Sequence, residues 1–263
     1  MSTAPAGPAT TEGRIARLGY PVAGVASVVA VWALASGLGL VAPEALPGPL
    51  AVLAAIPQLL GDGEFLPELG DTLWTWLVSL VLTTVVAVPV GLAVGSVPAA
   101  QRATMVAVNA FRSVPSSALI PIGILIFGLG ITMKVALAVY AIAWPILIST
   151  LYGVASTEPM RIDAGRSMRW PWWRRQVFVV LPSALPQIAT GIRIAASVAL
   201  VVVVSTELLG ASTGAGVVLV SYQQGLRPDV VYAGVLLLAA MGAIVYALLA
   251  GLERRLFTWV PHV

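Results

Sequence analysis

Residues 73–97 read LWTWLVSLVLTTVVAVPVGLAVGSV, an apolar run without one charged side chain. A helix rises about 1.5 Å per residue, so this run spans a hydrocarbon layer of about 30 Å. It does not alternate every second residue, which argues against a strand of a membrane β-barrel. Working outward, comparable apolar stretches occupy about 20–41, 104–127, 131–151, 189–209 and 230–252. The stretch at 20–41 is longer than the roughly 7–15-residue core of a signal peptide, so it reads as an uncleaved first span. Six spans predict an all-α integral membrane protein with both termini on one side.

The composition agrees. Of 263 residues 59% are hydrophobic and 10% charged, with a mean hydropathy of +0.97. Soluble domains carry about 25% charged residues, so this chain has too little polar surface to cover itself in water. Zero Cys excludes disulfides, Fe–S clusters and Cys-zinc sites, and the single His, His262, leaves no HExxH motif and makes a catalytic triad implausible. The one lysine, Lys134, follows Met133, so no Walker A motif exists and the chain is not its own ATPase. Nothing in it predicts a metal or other cofactor bound by the chain itself, or a nucleic-acid partner.

Charge sets the orientation. With the N-terminus inside, the inner segments hold Arg14, Arg17, Arg102, Arg161, Arg166, Arg169, Arg174, Arg175, Arg254 and Arg255. The outer segments hold Lys134 and Arg227, together with an acidic loop of Glu44, Asp62, Glu64, Glu68 and Asp71. This positive-inside bias predicts a multi-pass protein with cytoplasmic termini. The chain divides into a disordered cytoplasmic tail (1–19), a first span with an acidic external segment (20–71), and a transmembrane domain (72–258). In the external segment, about Leu46 to Leu60 reads as a short interfacial helix broken by Pro47, Pro49 and Pro57.

One inner loop, 152–188, is long. Its heart is STEPMRIDAGRSMRWPWWRRQVFVVLPSALPQ (156–187). Ser156, Thr157 and Glu158 before Pro159 read as a helix start, with a second at Pro171. Pro182 and Pro186 are expected to break the chain before span five. The product is a short helix, a tight bend and a second short helix on the membrane surface.

The loop resembles the cytoplasmic signature loop of ATP-binding-cassette (ABC) importer permeases: Glu-Ala-Ala, three residues, Gly, then a downstream Leu-Pro. Asp163-Ala164-Gly165 stands at the first position and Leu181-Pro182 at the last. FRSVPSSALIPIGILIFGLG (111–130), PILISTLYGV (145–154) and STELLGASTGAGVVL (205–219) are similar to the nitrate/sulfonate/taurine-type branch. The resemblance covers roughly 65–258 and implies a type I ABC importer transmembrane domain. Two departures stand out: Asp and Gly replace the first Glu and second Ala, and Arg169 replaces the motif Gly. Arg tolerates positive φ poorly, so the bend is expected to shift toward Trp170-Pro171, or the loop to dock a specialised ATPase.

The resemblance further implies two separate ATPase subunits, which use ATP and Mg, a permease homodimer and an extracytoplasmic solute-binding protein. Asp163, Ala164, Gly165, Arg166, Arg169, Leu181 and Pro182 are then the ATPase-coupling residues. Trp170, Trp172 and Trp173 fit interface hot spots but fit membrane-surface anchors better.

Polar groups inside apolar runs need a reason. A straight third span buries Arg112 roughly 15 Å deep; its neighbours Ser113, Pro115, Ser116 and Ser117 argue for an interrupted helix lining a polar path. The alternative is that the span starts near Ser116 and leaves Arg112 at the interface. Glu207, near the outer end of span five, reads as part of an outer gate or as a loop acid bonded to backbone amides; it is too distant for a pair with Arg112. Tyr140, Trp144, Tyr222 and Gln223 are weaker cavity candidates, GLAVG (91–95) is a candidate packing motif, and Pro89 and Pro145 are expected to kink their helices. The rival functions are a stand-alone carrier or channel, which lacks coupling-ion residues apart from Glu207 and Arg112, and a membrane enzyme, which lacks a ligand set. The branch resemblance implies a small, anionic, sulfonate-, nitrate- or taurine-like cargo, with pyrimidine precursors as a further class that the branch serves.

Overall fold

A computed structural model describes residues 11–42 and 44–256; residues 1–10 of the expected tail and His262 lie outside the described residues. Every regular element among them is a helix. In chain order they are α1 (Thr11–Gly37), α2 (Pro49–Gly61), α3 (Phe65–Gly95), α4 (Pro98–Phe111), a 3-10 turn (Ser116–Leu119), α5 (Ile120–Phe127) and α6 (Ile131–Ala155). There follow α7 (Pro159–Ser167), α8 (Trp172–Arg175), a π turn (Gln176–Val180), α9 (Leu181–Gly210), α10 (Ala215–Gln224) and α11 (Pro228–Leu256). Because α1 begins at Thr11, the stretch read as tail is helical from that residue on.

Proline writes many of these boundaries. Pro49, Pro98, Pro159 and Pro228 each open a helix, where the missing N–H would be unsatisfied anyway. Pro57, Pro89, Pro145 and Pro186 lie inside helices that continue through them. The expected break at Pro182 and Pro186 is therefore corrected: Trp172–Gly210 is one helix of 39 residues. The π turn explains how. The Leu181 N–H bonds to the Gln176 carbonyl, five residues back, so the ladder widens just where Pro182 withholds a donor. The second short helix is accordingly the first turn of a span. The helix expected over about 46–60 is α2, which starts only at Pro49 and is likewise unbroken at Pro57.

α3, α6, Trp172–Gly210 and α11 are each long and apolar enough to cross a membrane. The stretch read as a third span is instead a pair, α4 and Ser116–Phe127, bent by 72°. α6 lies between α3 and α9, parallel to the first and antiparallel to the second. Gly91 faces Thr150 and Gly95 faces Val154, so GLAVG is a close-packing surface within the chain. On the other side of α6, a Cβ on Gly191 would come within 2.4 Å of Ser149. Leu80, Ile142, Ile146, Ala195 and Ala199 fill the space between the three helices, while Val81, Val85, Leu125 and Leu248 face outward, as lipid contact requires.

Candidate functional site

α7 projects where the C-terminus of α6 meets the N-terminal turns of Trp172–Gly210. Ser156 and Thr157 do not cap it; their hydroxyls bond back to Gly153 O and finish α6. Its own start is Pro159, with Glu158 at the N-cap. Its end is a Schellman motif: Trp170 N–H bonds to Gly165 O at 3.0 Å and Arg169 N–H to Arg166 O at 2.8 Å. The residue between cap and Trp170 is Arg169, at φ 54°. The bend thus stays at the motif position and does not shift toward Trp170-Pro171; both hydrogen bonds and the following Pro171 over-determine the left-handed residue.

Asp163 and Arg166 pair at 2.9 Å on the exposed face of α7, and Ala164 and Arg169 are exposed too. Gly165 differs: it is buried, and a Cβ there would sit 3.2 Å from the Arg175 side chain and 3.8 Å from Trp170. It closes α7 against α8 within the chain. Arg174 stacks over Trp170 at 4.7 Å, with Phe178 edge-on to the same ring, so this part of the loop is internally packed. Trp172 and Trp173 remain exposed. Beside α7 lies a cleft lined by Glu158, Arg161, Ala164, Phe178, Pro182 and Ser183, so that Pro182, next to Leu181 in the continuous helix, forms part of its wall.

The bend between α4 and the 3-10 turn holds Arg112 and Ser113, and Ser116 and Ser117 open the 3-10 turn. Arg112 ends α4, its N–H on Val108 O, and is exposed. Tyr140 on α6 donates its hydroxyl to Phe111 O at 2.7 Å, and Trp144 stacks on Phe111, pinning the break to α6. Ser116 and Ser117 border a small cavity shared with Ser205 and Thr206 of α9.

Glu207 lies elsewhere, at the opposite end of the bundle from α7, and it is 2% exposed. It accepts hydrogen bonds from Thr72 (2.9 and 3.0 Å), from Lys134 Nζ (3.1 Å) and from the Gly216 N–H (3.1 Å). Lys134, fully buried, also donates to Asp71 at 2.7 Å and to the Thr213 carbonyl at 3.0 Å. Thr213 donates to Asp71, and the Gly214 N–H bonds to Glu68. Gly214 has φ 118°, and a Cβ there would strike the Glu207 carboxylate. α3, α6, α9 and the turn into α10 are thereby tied through one ammonium group.

Three expectations from the sequence change here. Lys134 is a buried ion-pair member, not a charge of the outer loop. Glu68 and Asp71 turn into the bundle rather than belonging to an exposed acidic surface. Glu207 is neither paired with Arg112 nor a loop acid; one backbone amide and three side-chain donor contacts hold it. The missed signal was positional. Asp71 precedes the run at 73, Lys134 opens the run at 131 and Glu207 closes the run at 209, so all three stand at one depth. Nearby, Tyr222 donates to Asp62, which holds the phenol above its usual range, and Arg227 bonds to Gln58 and Asp229. A second left-handed residue, Leu226, closes α10 with the same pair of bonds seen after α7 and is 85% exposed.

The protein-family profile of the "binding-protein-dependent transport system inner membrane component" matches residues 87–258. The chain belongs to this family. Among relatives, the taurine transport system permease protein TauC of Escherichia coli K12 is 34% identical over 246 residues, 91% of this chain and 89% of that protein. The putative aliphatic sulfonates transport permease protein SsuC of Bacillus subtilis 168 is 27% identical over 234 residues, 89% and 85% of the two chains. A solved chain of the MetNI methionine ABC transporter, in an inward-facing conformation, superposes with a TM-score of 0.64 at 21% identity. It covers 73% of this chain and 95% of that one, so the two share a fold. Within the permease family's matched region fall the α4–α5 bend, Lys134, α7 and Glu207, whereas Thr72 and Asp71 lie before it. This ABC permease is a multi-pass membrane protein of an inner-membrane transport system.

Proposed function

We propose that the chain is the permease subunit of an ATP-driven importer that brings small organic sulfonates of the taurine type into the cytoplasm by alternating access. The exposed, rigidly closed α7 carries this reading. It joins the ends of α6 and α9, and both helices continue to the Lys134 end, so a push on α7 is transmitted across the bundle. Two ATPase subunits, hydrolysing ATP with Mg, are the partners for Asp163, Ala164, Arg166 and Arg169, with Gly165, Leu181 and Pro182 setting the pose of α7. The permease itself has no ATPase site.

A homodimer follows from the same geometry, because one chain offers one α7 and the machine needs two. An extracytoplasmic solute-binding protein delivers the cargo at the Lys134 end. In this reading α1 and the bent α4–α5 pair complete six spans, with both termini in the cytoplasm. The names of the taurine and aliphatic-sulfonate relatives support the cargo class. One observation favours a second reading, a stand-alone ion-coupled carrier: Lys134, Asp71 and Glu207 form the kind of buried ionisable cluster that such carriers use.

One experiment separates them. The detergent-solubilised complex is pulled down and ATPase activity assayed for wild type and Asp163→Arg. Copurification of an ATP-hydrolysing subunit, released by the substitution, supports the importer. Solute transport by the pure chain with no ATPase present overturns it in favour of the carrier.

A further inference from the structure

The cavity between the α4–α5 bend and α9 is a separate feature from the Lys134 cluster. Its volume is about 130 Å3, several times the roughly 30 Å3 share of one water. Ile120, Val201 and Val202 form apolar walls; Ser116, Ser117, Ser205 and Thr206 supply the polar groups. The Thr206 hydroxyl donates to Val203 O. Those of Ser116, Ser117 and Ser205 engage no acceptor among the described residues. Thr72, Ser79, Thr83 and Thr150 donate to a carbonyl one turn back, whereas Ser205, like Thr75 and Thr84, makes no such bond and is left to donate elsewhere.

Three hydroxyls without an acceptor therefore border a small, mostly apolar space, those of Ser116 and Ser205 half-buried and that of Ser117 on an exposed residue. The nearest acid in sequence, Glu207, has its oxygens committed to Thr72, Lys134 and Gly216, so it offers a cation nothing. Arg112 stands at the head of the same bend, with no carboxylate paired to it among the described residues. A group rich in acceptors and devoid of donors satisfies such a site, and a tetrahedral oxyanion is that group.

We infer that this cavity is a transient subsite for the sulfonate head of the cargo, held by hydrogen bonds from Ser116, Ser117 and Ser205. The inference rests on the importer reading and adds where in the path the anion is held. Hydroxyl donors suit a transporter better than a buried Arg would: they bind the anion without an ion pair that would retain it.

The chain has no Cys, so Ser117→Cys or Ser205→Cys introduces its sole thiol. Each variant is reconstituted with its ATPase in lipid nanodiscs. Labelling of the permease by 2-sulfonatoethyl and by 2-(trimethylammonio)ethyl methanethiosulfonate is timed by mass spectrometry. The subsite predicts a sulfonate-to-ammonium rate ratio about tenfold above that on 2-mercaptoethanol, the worth of one hydrogen bond to a charged group. Taurine should slow the labelling. The triple variant S116A/S117A/S205A should raise the KM for taurine uptake by at least about tenfold, the worth of one of the three bonds, with basal ATPase and assembly retained, and Ser117→Thr should keep the wild-type value. If the wild-type complex takes up taurine while the rate ratio matches the free thiol and the triple variant keeps its KM, the subsite is wrong and the importer reading stands. Failure of the wild-type complex to take up any sulfonate overturns both.

Discussion

The two ends of the bundle are held together by opposite means. At the α7 end the ion pairs Asp163–Arg166 and Glu158–Arg161 are exposed and span a single helical turn; such pairs contribute at most about 1 kcal/mol each. At the Lys134 end the Lys134–Glu207 pair is buried, the Lys134–Asp71 pair is half-buried on its Asp71 side, and both join helices far apart in sequence. Neither charge of a buried pair can be removed without stranding the other in a medium that does not solvate it. The α7 end therefore owes its shape to backbone geometry, a Schellman closure around Arg169, and leaves its side chains free for a partner. The opposite end spends its charged side chains internally. This division suits a subunit that receives force at one end and must hold its helices in register at the other.

The sharpest way to break the comparison is Lys134→Met. It leaves Glu207 and Asp71 facing each other without their cation, and should cost about 3–5 kcal/mol, read as a large fall in thermal stability of the detergent-solubilised permease. Adding Glu207→Gln should recover part of that loss. If Lys134→Met costs no more than Arg166→Ala does, the two ends do not differ as described. Gly191→Ala tests the packing between them. Its methyl would overlap the Ser149 side chain, forcing α6 and α9 apart at a cost of about 1–3 kcal/mol in the same assay. Smallest, and opposite in sign, is Arg169→Gly. Glycine adopts positive φ freely, so the variant should gain about 0.5–1 kcal/mol in a thermal-shift measurement. Loss of ATPase copurification in that stabilised variant would assign the Arg169 side chain to the partner interface.

Much of the fold was legible in advance because it depends on short-range rules. Continuous apolar runs announce spans, proline marks helix starts at Pro159 and Pro171, and an interruption was one of the two readings of the polar cluster around Arg112, where the chain bends by 72°. Where local reasoning failed, a competing local device was the cause. Pro182 did not end a helix because the π turn at 176–180 absorbed the missing donor. Arg169 did not move the bend because the hydrogen bonds from its own N–H and from Trp170 outweigh the cost of its left-handed backbone.

The Lys134 cluster failed for a different reason. Its partners Asp71 and Glu207 are 63 and 73 residues away, and no local propensity links positions so distant. By itself the sequence determined the membrane class, most of the spans, the absence of any thiol or ATPase motif, and the short helix between α6 and α9. These are properties of hydrophobic length and of residue type. Only the tertiary structure decided which charges meet, which serines share a cavity, and that Gly165 packs inward beside exposed Ala164. Helix rotation and register set those juxtapositions, and they are fixed by the packing of small residues between α3, α6 and α9.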